Sequence, residues 1–116
     1  MELGSKPTLV HFWATWCLPC RDELPGILAL DGHQVNVVAV ALDPDWESME
    51  RFFNGEVPPQ VALGDADQVR SAFGVTTLPV TFLSSDGETL QLRFDGARDW
   101  TSESFVREWL DGTADQ

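Results

Sequence analysis

Short apolar runs alternate with amphipathic stretches along this chain, and the alternation predicts strand and helix in turn. Leu9-Val10-His11-Phe12-Trp13, interrupted only by His11, reads as a buried strand over Thr8–Trp13. Residues 21–30 can be helical, because Leu24, Ile27 and Leu28 fall on one side at i, i+3, i+4 spacing. Pro25 lies inside that helix, where it removes a hydrogen bond and should kink it. Residues 35–42 are almost continuously apolar and β-branched, the pattern of a strand covered on both faces in a parallel sheet. Asp43-Pro44-Asp45 then reads as a helix start with Pro44 at the first helical position. Trp46, Met49 and Phe53 form its apolar stripe, and Asn54-Gly55 stops it.

Residues 60–63 make a short strand after Pro58-Pro59. Asp65 and Gln68 resemble a capping box, with Asp65 as N-cap of a helix that buries Val69, Ala72 and Phe73 and ends at Gly74. Residues 79–84 form another apolar strand. Asp86-Gly87 marks a tight turn into 89–95, which makes a β-hairpin. On the return strand Leu90, Leu92 and Phe94 alternate with Gln91 and Arg93, so one face is wet. Phe105, Val106, Trp109 and Leu110 give 102–110 the stripe of a last amphipathic helix, and Trp100 and Trp109 are read as packing on the sheet. The order β-α-β-α-β-α-β-β-α predicts an α/β fold, a mixed central β-sheet with helices on both faces. In such sheets the active groups sit beyond the carboxyl ends of the strands.

A chain of 116 residues carries one domain, 1–116, with no repeat or linker to divide it. The net charge of −12 argues against nucleic acid and anionic membrane surfaces as partners. The acidic residues are scattered (Asp43, Asp45, Glu47, Asp65, Asp67, Asp86, Glu88), and a solvated surface is the role expected of them. There is no apolar run of about 18 residues to span a membrane. Met1-Glu2-Leu3-Gly4-Ser5-Lys6 lacks the apolar core of a secretory leader, which fits a cytosolic protein or one whose leader has been removed.

The two cysteines, Cys17 and Cys20, stand together in Trp16-Cys17-Leu18-Pro19-Cys20, between the first strand and the first helix. The unpaired N–H groups and positive end of a helix stabilise a thiolate at Cys17. A thiol pKa lowered from about 8.5 toward 7 takes the attacking species from a few per cent to about half at neutral pH. Cys20, one turn later, is placed to attack a mixed disulfide formed at Cys17. A structural disulfide here would close a tiny loop and stabilise little. A zinc site would have only His11 and His33 to complete it, at spacings unsuited to ligation. Two inert buried thiols are the third alternative. Dithiol chemistry is the favoured reading. His11, in mid-strand, is expected to be a core or sheet-face histidine, and Arg21 a solvated cation.

Phe12-Trp13-Ala14-Thr15-Trp16-Cys17-Leu18-Pro19-Cys20 resembles the active site of the thioredoxin superfamily. Glu23-Leu24-Pro25 and Gly74-Val75-Thr76-Thr77-Leu78-Pro79-Val80-Thr81-Phe82-Leu83 strengthen the likeness. The extra strand and helix between Asp43 and Asp65 are similar to the insert of the branch that includes TlpA, ResA and the thioredoxin-like proteins of cytochrome c maturation. The resemblance implies a thioredoxin-like fold and a thiol–disulfide oxidoreductase. Cys17 would be the exposed nucleophile and Cys20 the resolving thiol. Pro79 would be a cis-proline beside the disulfide, and Trp16, Pro19, Leu78 and Pro79 would receive the substrate. Glu23 would accept or relay the Cys20 proton, and its charge would raise thiol pKa values; the alternative is a surface glutamate. Trp16 would shield one side of the disulfide and Trp13 would be core. The resemblance further implies no cofactor beyond the redox-active disulfide, protein thiol or disulfide substrates, an electron-donor redox protein, a monomer, and a periplasmic or other extracytoplasmic setting. No acid occurs between Lys6 and Arg21, so the buried aspartate of ordinary thioredoxins is absent.

Two other functions compete. A thiol peroxidase of related fold would show Pro-x-x-x-Thr-x-x-Cys, and no proline stands at that spacing before Cys17. A non-catalytic peptide-binding module would use the Trp16–Pro79 surface without electron transfer, and the intact Cys-x-x-Cys weighs against it.

Overall fold

The computed structural model describes residues 7–32, 35–84, 92–96 and 100. In chain order it contains β1 (Thr8–Trp13), α1 (Leu18–Leu28), β2 (Asn36–Ala41), α2 (Trp46–Phe52), β3 (Val61–Leu63), α3 (Ala66–Phe73), β4 (Val80–Ser84) and β5 (Leu92–Asp95). The strands form one mixed sheet in the order β3-β2-β1-β4-β5. β2 runs parallel to β1 and β3, while β4 is antiparallel to β1 and to β5. This is the α/β arrangement that the hydrophobic pattern predicts. The expected last helix over 102–110, the Asp86-Gly87 turn, Trp109, His33 and the first six residues lie outside the described residues.

Alternation along β1 sorts the core into two layers, since successive strand side chains face opposite ways. Leu9 and Trp13 join Val37, Ala39 and Ala41 of β2 beneath the buried α1 residues Cys20, Leu24 and Ile27. Met49, Phe52 and Phe53 from α2 complete this layer, with Phe52 and Phe53 against the Trp13 ring at 5.5 and 6.0 Å between centroids. On the other face Phe12, Val80 and Phe82 pack with Val69 of α3 and with Val75. β2 is covered less completely than a parallel strand should be, for Val38 is exposed.

Local chemistry sets the element ends. Cys17 is the N-cap of α1, so the helix starts three residues before the predicted 21–30 and runs on through Pro25. Asp45, and not the proline before it, opens α2: Oδ1 accepts from Ser48 N at 3.0 Å and from the Ser48 hydroxyl at 2.9 Å. Pro44 therefore precedes the cap. Asp65 caps α3 through Gln68 N at 2.9 Å, as the sequence predicts. Gly74 ends that helix at φ 67°, a left-handed conformation that side chains with a Cβ resist. Further apolar residues expected to be covered are exposed: Trp46 and Phe73, although Phe73 packs on Phe12, and Leu92 of β5. Ala72 is likewise on the surface.

Candidate active site

β1 ends at Trp13, and four residues later the chain enters α1 at Cys17. Cys17 and Cys20 are joined by a disulfide. Cys17 Sγ accepts from Cys20 N at 3.3 Å, so the first sulfur lies over the unpaired N–H groups of the helix start. Any negative charge left on Cys17 by reduction would meet these donors and the positive end of the helix. Cys17 keeps 8% of its surface accessible and Cys20 none, so the sulfur expected to be exposed is buried, though less completely than its partner.

Around the sulfurs the surface is apolar and open. Trp16 is 67% exposed and Leu18 66% exposed, and Pro19 is exposed between the cysteines. Trp16, expected to shield the disulfide, stands mostly in solvent. The Leu78–Pro79 bond is cis. Phe12 pairs with Val80, so Pro79, at the start of the antiparallel β4, lies at the same sheet end from which β1 leads to Cys17. Pro79 is buried, and its carbonyl accepts from Gly96 N at 2.9 Å. Leu78 is partly buried against both layers of the core.

Glu23 is not a surface glutamate. It is 7% exposed, one turn beyond Cys20 on the buried side of α1. The indole N–H of Trp100 donates to its Oε2, and His11 Nε2 lies 3.6 Å from its Oε1. His11 is fully buried, and its Nδ1 is 2.8 Å from the hydroxyl oxygen of Thr81, its cross-strand partner. Burial pushes the His11 imidazole down to about 4, because no water is left to solvate a cation there. The contact with Glu23 is therefore no ion pair at neutral pH. The expected core histidine is found, with one nitrogen against a carboxylate that the sequence reading did not connect to it.

Asp43 corrects the expectation of a solvated acid. It is buried at the end of β2, where Oδ1 accepts from Thr15 N at 2.9 Å and Oδ2 from the Thr15 hydroxyl at 2.5 Å. These two bonds tie the turn before Cys17 to the neighbouring strand. The usable signal was positional: Asp43 follows a buried strand directly, at the sheet end that carries the cysteines. Arg21 is exposed as expected, its guanidinium 5.5 Å from the Phe52 ring centre. Among the described residues no group of three His, Cys, Asp or Glu is placed to hold a metal ion. Among them, too, no helix is long and apolar enough to cross a membrane.

A five-stranded mixed sheet, a dithiol pair at a helix start and a cis-proline at the same sheet end define a thioredoxin-like domain built for dithiol chemistry. No family model matches the chain. It is 38% identical over 96 residues to the thiol:disulfide interchange protein CycY of Rhizobium leguminosarum bv. viciae, covering 78% of this chain and 51% of that protein. It is 34% identical over 99 residues to the thiol-disulfide oxidoreductase ResA of Geobacillus kaustophilus, covering 78% and 56%. A crystal structure described as a thiol:disulfide interchange protein DsbE from Chlorobium tepidum superposes with a TM-score of 0.72 at 28% identity, over 93% of this chain and 80% of that one. The chain belongs to the thioredoxin superfamily, in the branch typified by ResA and TlpA. It spans about half the length of the curated relatives it matches.

Proposed function

We propose that this chain is one thioredoxin-like domain, a thiol–disulfide oxidoreductase that reduces disulfides in protein clients. The observation that carries the reading is Cys17 at the N-cap of α1, its sulfur facing the Cys20 N–H beside an open apolar surface. In the reduced form the Cys17 thiolate attacks one sulfur of a client disulfide. A mixed disulfide forms and the client's other sulfur leaves with the electron pair. Cys20 then attacks Cys17 Sγ, the Cys17–Cys20 bond closes, and the client's second thiolate is released. Glu23, one turn beyond Cys20, takes the Cys20 proton in that second step. Trp16, Pro19, Leu78 and Pro79 seat the client. The disulfide is the only redox group required, and a second redox protein restores the dithiol. The chain works as a monomer in a periplasmic or other extracytoplasmic setting.

Insulin reduction driven by dithiothreitol tests the chemistry. Cys17→Ser abolishes turnover, and Cys20→Ser arrests the reaction as a mixed disulfide visible by non-reducing electrophoresis. Turnover that survives Cys17→Ser refutes the mechanism. Direction is read by titration against glutathione, following tryptophan fluorescence. A midpoint near about −120 mV would make the protein an oxidant.

A further inference from the structure

His11 is left unused by the exchange steps above, yet its surroundings are those of a polar group with a task. The ring is fully buried in the middle of β1, on the sheet face that α1 covers. Thr81 on β4 engages Nδ1 at 2.8 Å, while Nε2 makes no hydrogen bond among the described residues. That nitrogen lies 3.6 Å from Glu23 Oε1, somewhat wider than a hydrogen bond and within reach of a small rotation of the long glutamate side chain. When the Thr81 hydroxyl donates to Nδ1, the ring proton resides on Nε2 and is aimed at the carboxylate. The other carboxylate oxygen already accepts from the Trp100 indole, which can only donate. With that tautomer two N–H groups face Glu23, the indole bonded to it and the imidazole 3.6 Å away. Burial keeps the imidazole neutral, so it acts as a donor and not as a second cation.

Few other charges can intrude. β2 and β4, which flank β1, carry no ionisable side chain. Arg21 and Asp22 on α1 are exposed, Arg93 and Asp95 on β5 pair with each other, and Asp43 is bound to Thr15. Cys20 and Glu23 are the titratable groups on the buried side of α1.

We infer that His11 is a positioning residue for Glu23: the Nε2–H, oriented by Thr81, holds the buried carboxylate ionised and aimed to receive the Cys20 proton. This rests on the reading of Glu23 as proton acceptor. In the step concerned, the Cys20 thiol loses its proton to Glu23 and its sulfur bonds to Cys17. The Cys17–client bond breaks, and the electron pair leaves on the client thiolate. One negative charge stands on each side, on Glu23 before and on the client sulfur after. Removing the donor makes the carboxylate harder to ionise, so the resolving step needs a higher pH.

The test uses the reduced protein with saturating oxidised glutathione, the closing step being followed by stopped-flow tryptophan fluorescence from about pH 5 to 8. His11→Leu is expected to move the acid limb up by about one pH unit, about a tenfold slowing on that limb, the effect of losing a donor to a charged group. His11→Gln, whose amide N–H can occupy the Nε2 position, recovers most of that shift. Thr81→Val moves the limb in the same direction as His11→Leu and serves if the leucine variant does not fold. A nitrogen-15 correlation spectrum of the wild type is expected to show the proton on Nε2. A proton on Nδ1 overturns the inference. So does a His11→Leu or Thr81→Val profile that superimposes on wild type while Glu23→Gln alters it, and the Glu23 reading then survives. If Glu23→Gln leaves the profile unchanged, the proton-acceptor reading itself fails and takes this inference with it.

Discussion

Acid should unfold this protein partly through His11. An unfolded chain binds a proton at that imidazole near its ordinary value of 6.5, whereas the folded chain binds it only at about 4. Between those values the unfolded state holds more protons, so stability falls as pH falls and is fully present above about 6.5. The gap, at about 1.4 kcal/mol per pH unit, amounts to about 3 kcal/mol, with somewhat under half lost by about pH 5.5. That is a large share of the 5–15 kcal/mol typical of a small domain. His11→Asn offers Thr81 a polar partner in the Nδ1 position and cannot titrate. Urea unfolding of the oxidised forms, followed by tryptophan fluorescence at a series of pH values, gives both stabilities. Any difference at neutral pH from the variant's altered packing is a constant offset. Carboxylates away from His11 titrate alike in both proteins and cancel in the difference, while any shift at Glu23 adds to the convergence. The wild-type curve should drop toward the variant's as pH falls, converging by about 3 kcal/mol near pH 4. Curves that stay parallel within about 0.5 kcal/mol would refute burial of a neutral imidazole as the cause.

Three further outcomes follow from the packing. Ile27→Ala removes a fully buried side chain of α1 and should cost about 3 kcal/mol in urea unfolding, with the disulfide intact. Asp43→Ala strips both acceptors from Thr15, so a loss of about 2 kcal/mol is expected, together with slower insulin reduction as the turn before Cys17 loosens. Gly74→Ala should cost about 1 kcal/mol by thermal or urea unfolding. Its added Cβ would meet Arg93 Nη1 at an ordinary 3.6 Å, so the cost is that of holding φ 67° and not of a clash.

The fold was legible where one physical signal dominates. β1 and β4 are apolar enough to leave no other reading, and Asp65 and Gly74 bound α3 by capping chemistry alone. The cysteine pair and the cis-proline were legible through motif. Harder were the features made by juxtaposition. A cysteine is a poor N-cap by side-chain preference, so the apolar pattern alone starts the helix at residue 21, and only the dithiol motif put the cysteines at its first turn. Pro44 fitted a first helical position in isolation, yet Asp45, whose carboxylate reaches Ser48, won the cap. Asp43 read as one acid among many because its partner Thr15 is 28 positions away. His11 and Glu23 were both noticed, but nothing along the chain says that a strand residue and a helix residue will meet over Thr81.

The bond from Trp100 to Glu23 also has a consequence for how the protein is made. It joins positions 77 apart, with the cysteines on the early side. Synthesis proceeds from the N-terminus, so both sulfurs and α1 exist while the indole is still to be added. A nascent or truncated chain ending before residue 100 would carry a complete dithiol motif but a carboxylate without its indole donor. Maturation of the site is thus a late event in the life of the chain, and pulse-labelling of truncated products should find their thiols reacting at a different rate from those of the finished protein.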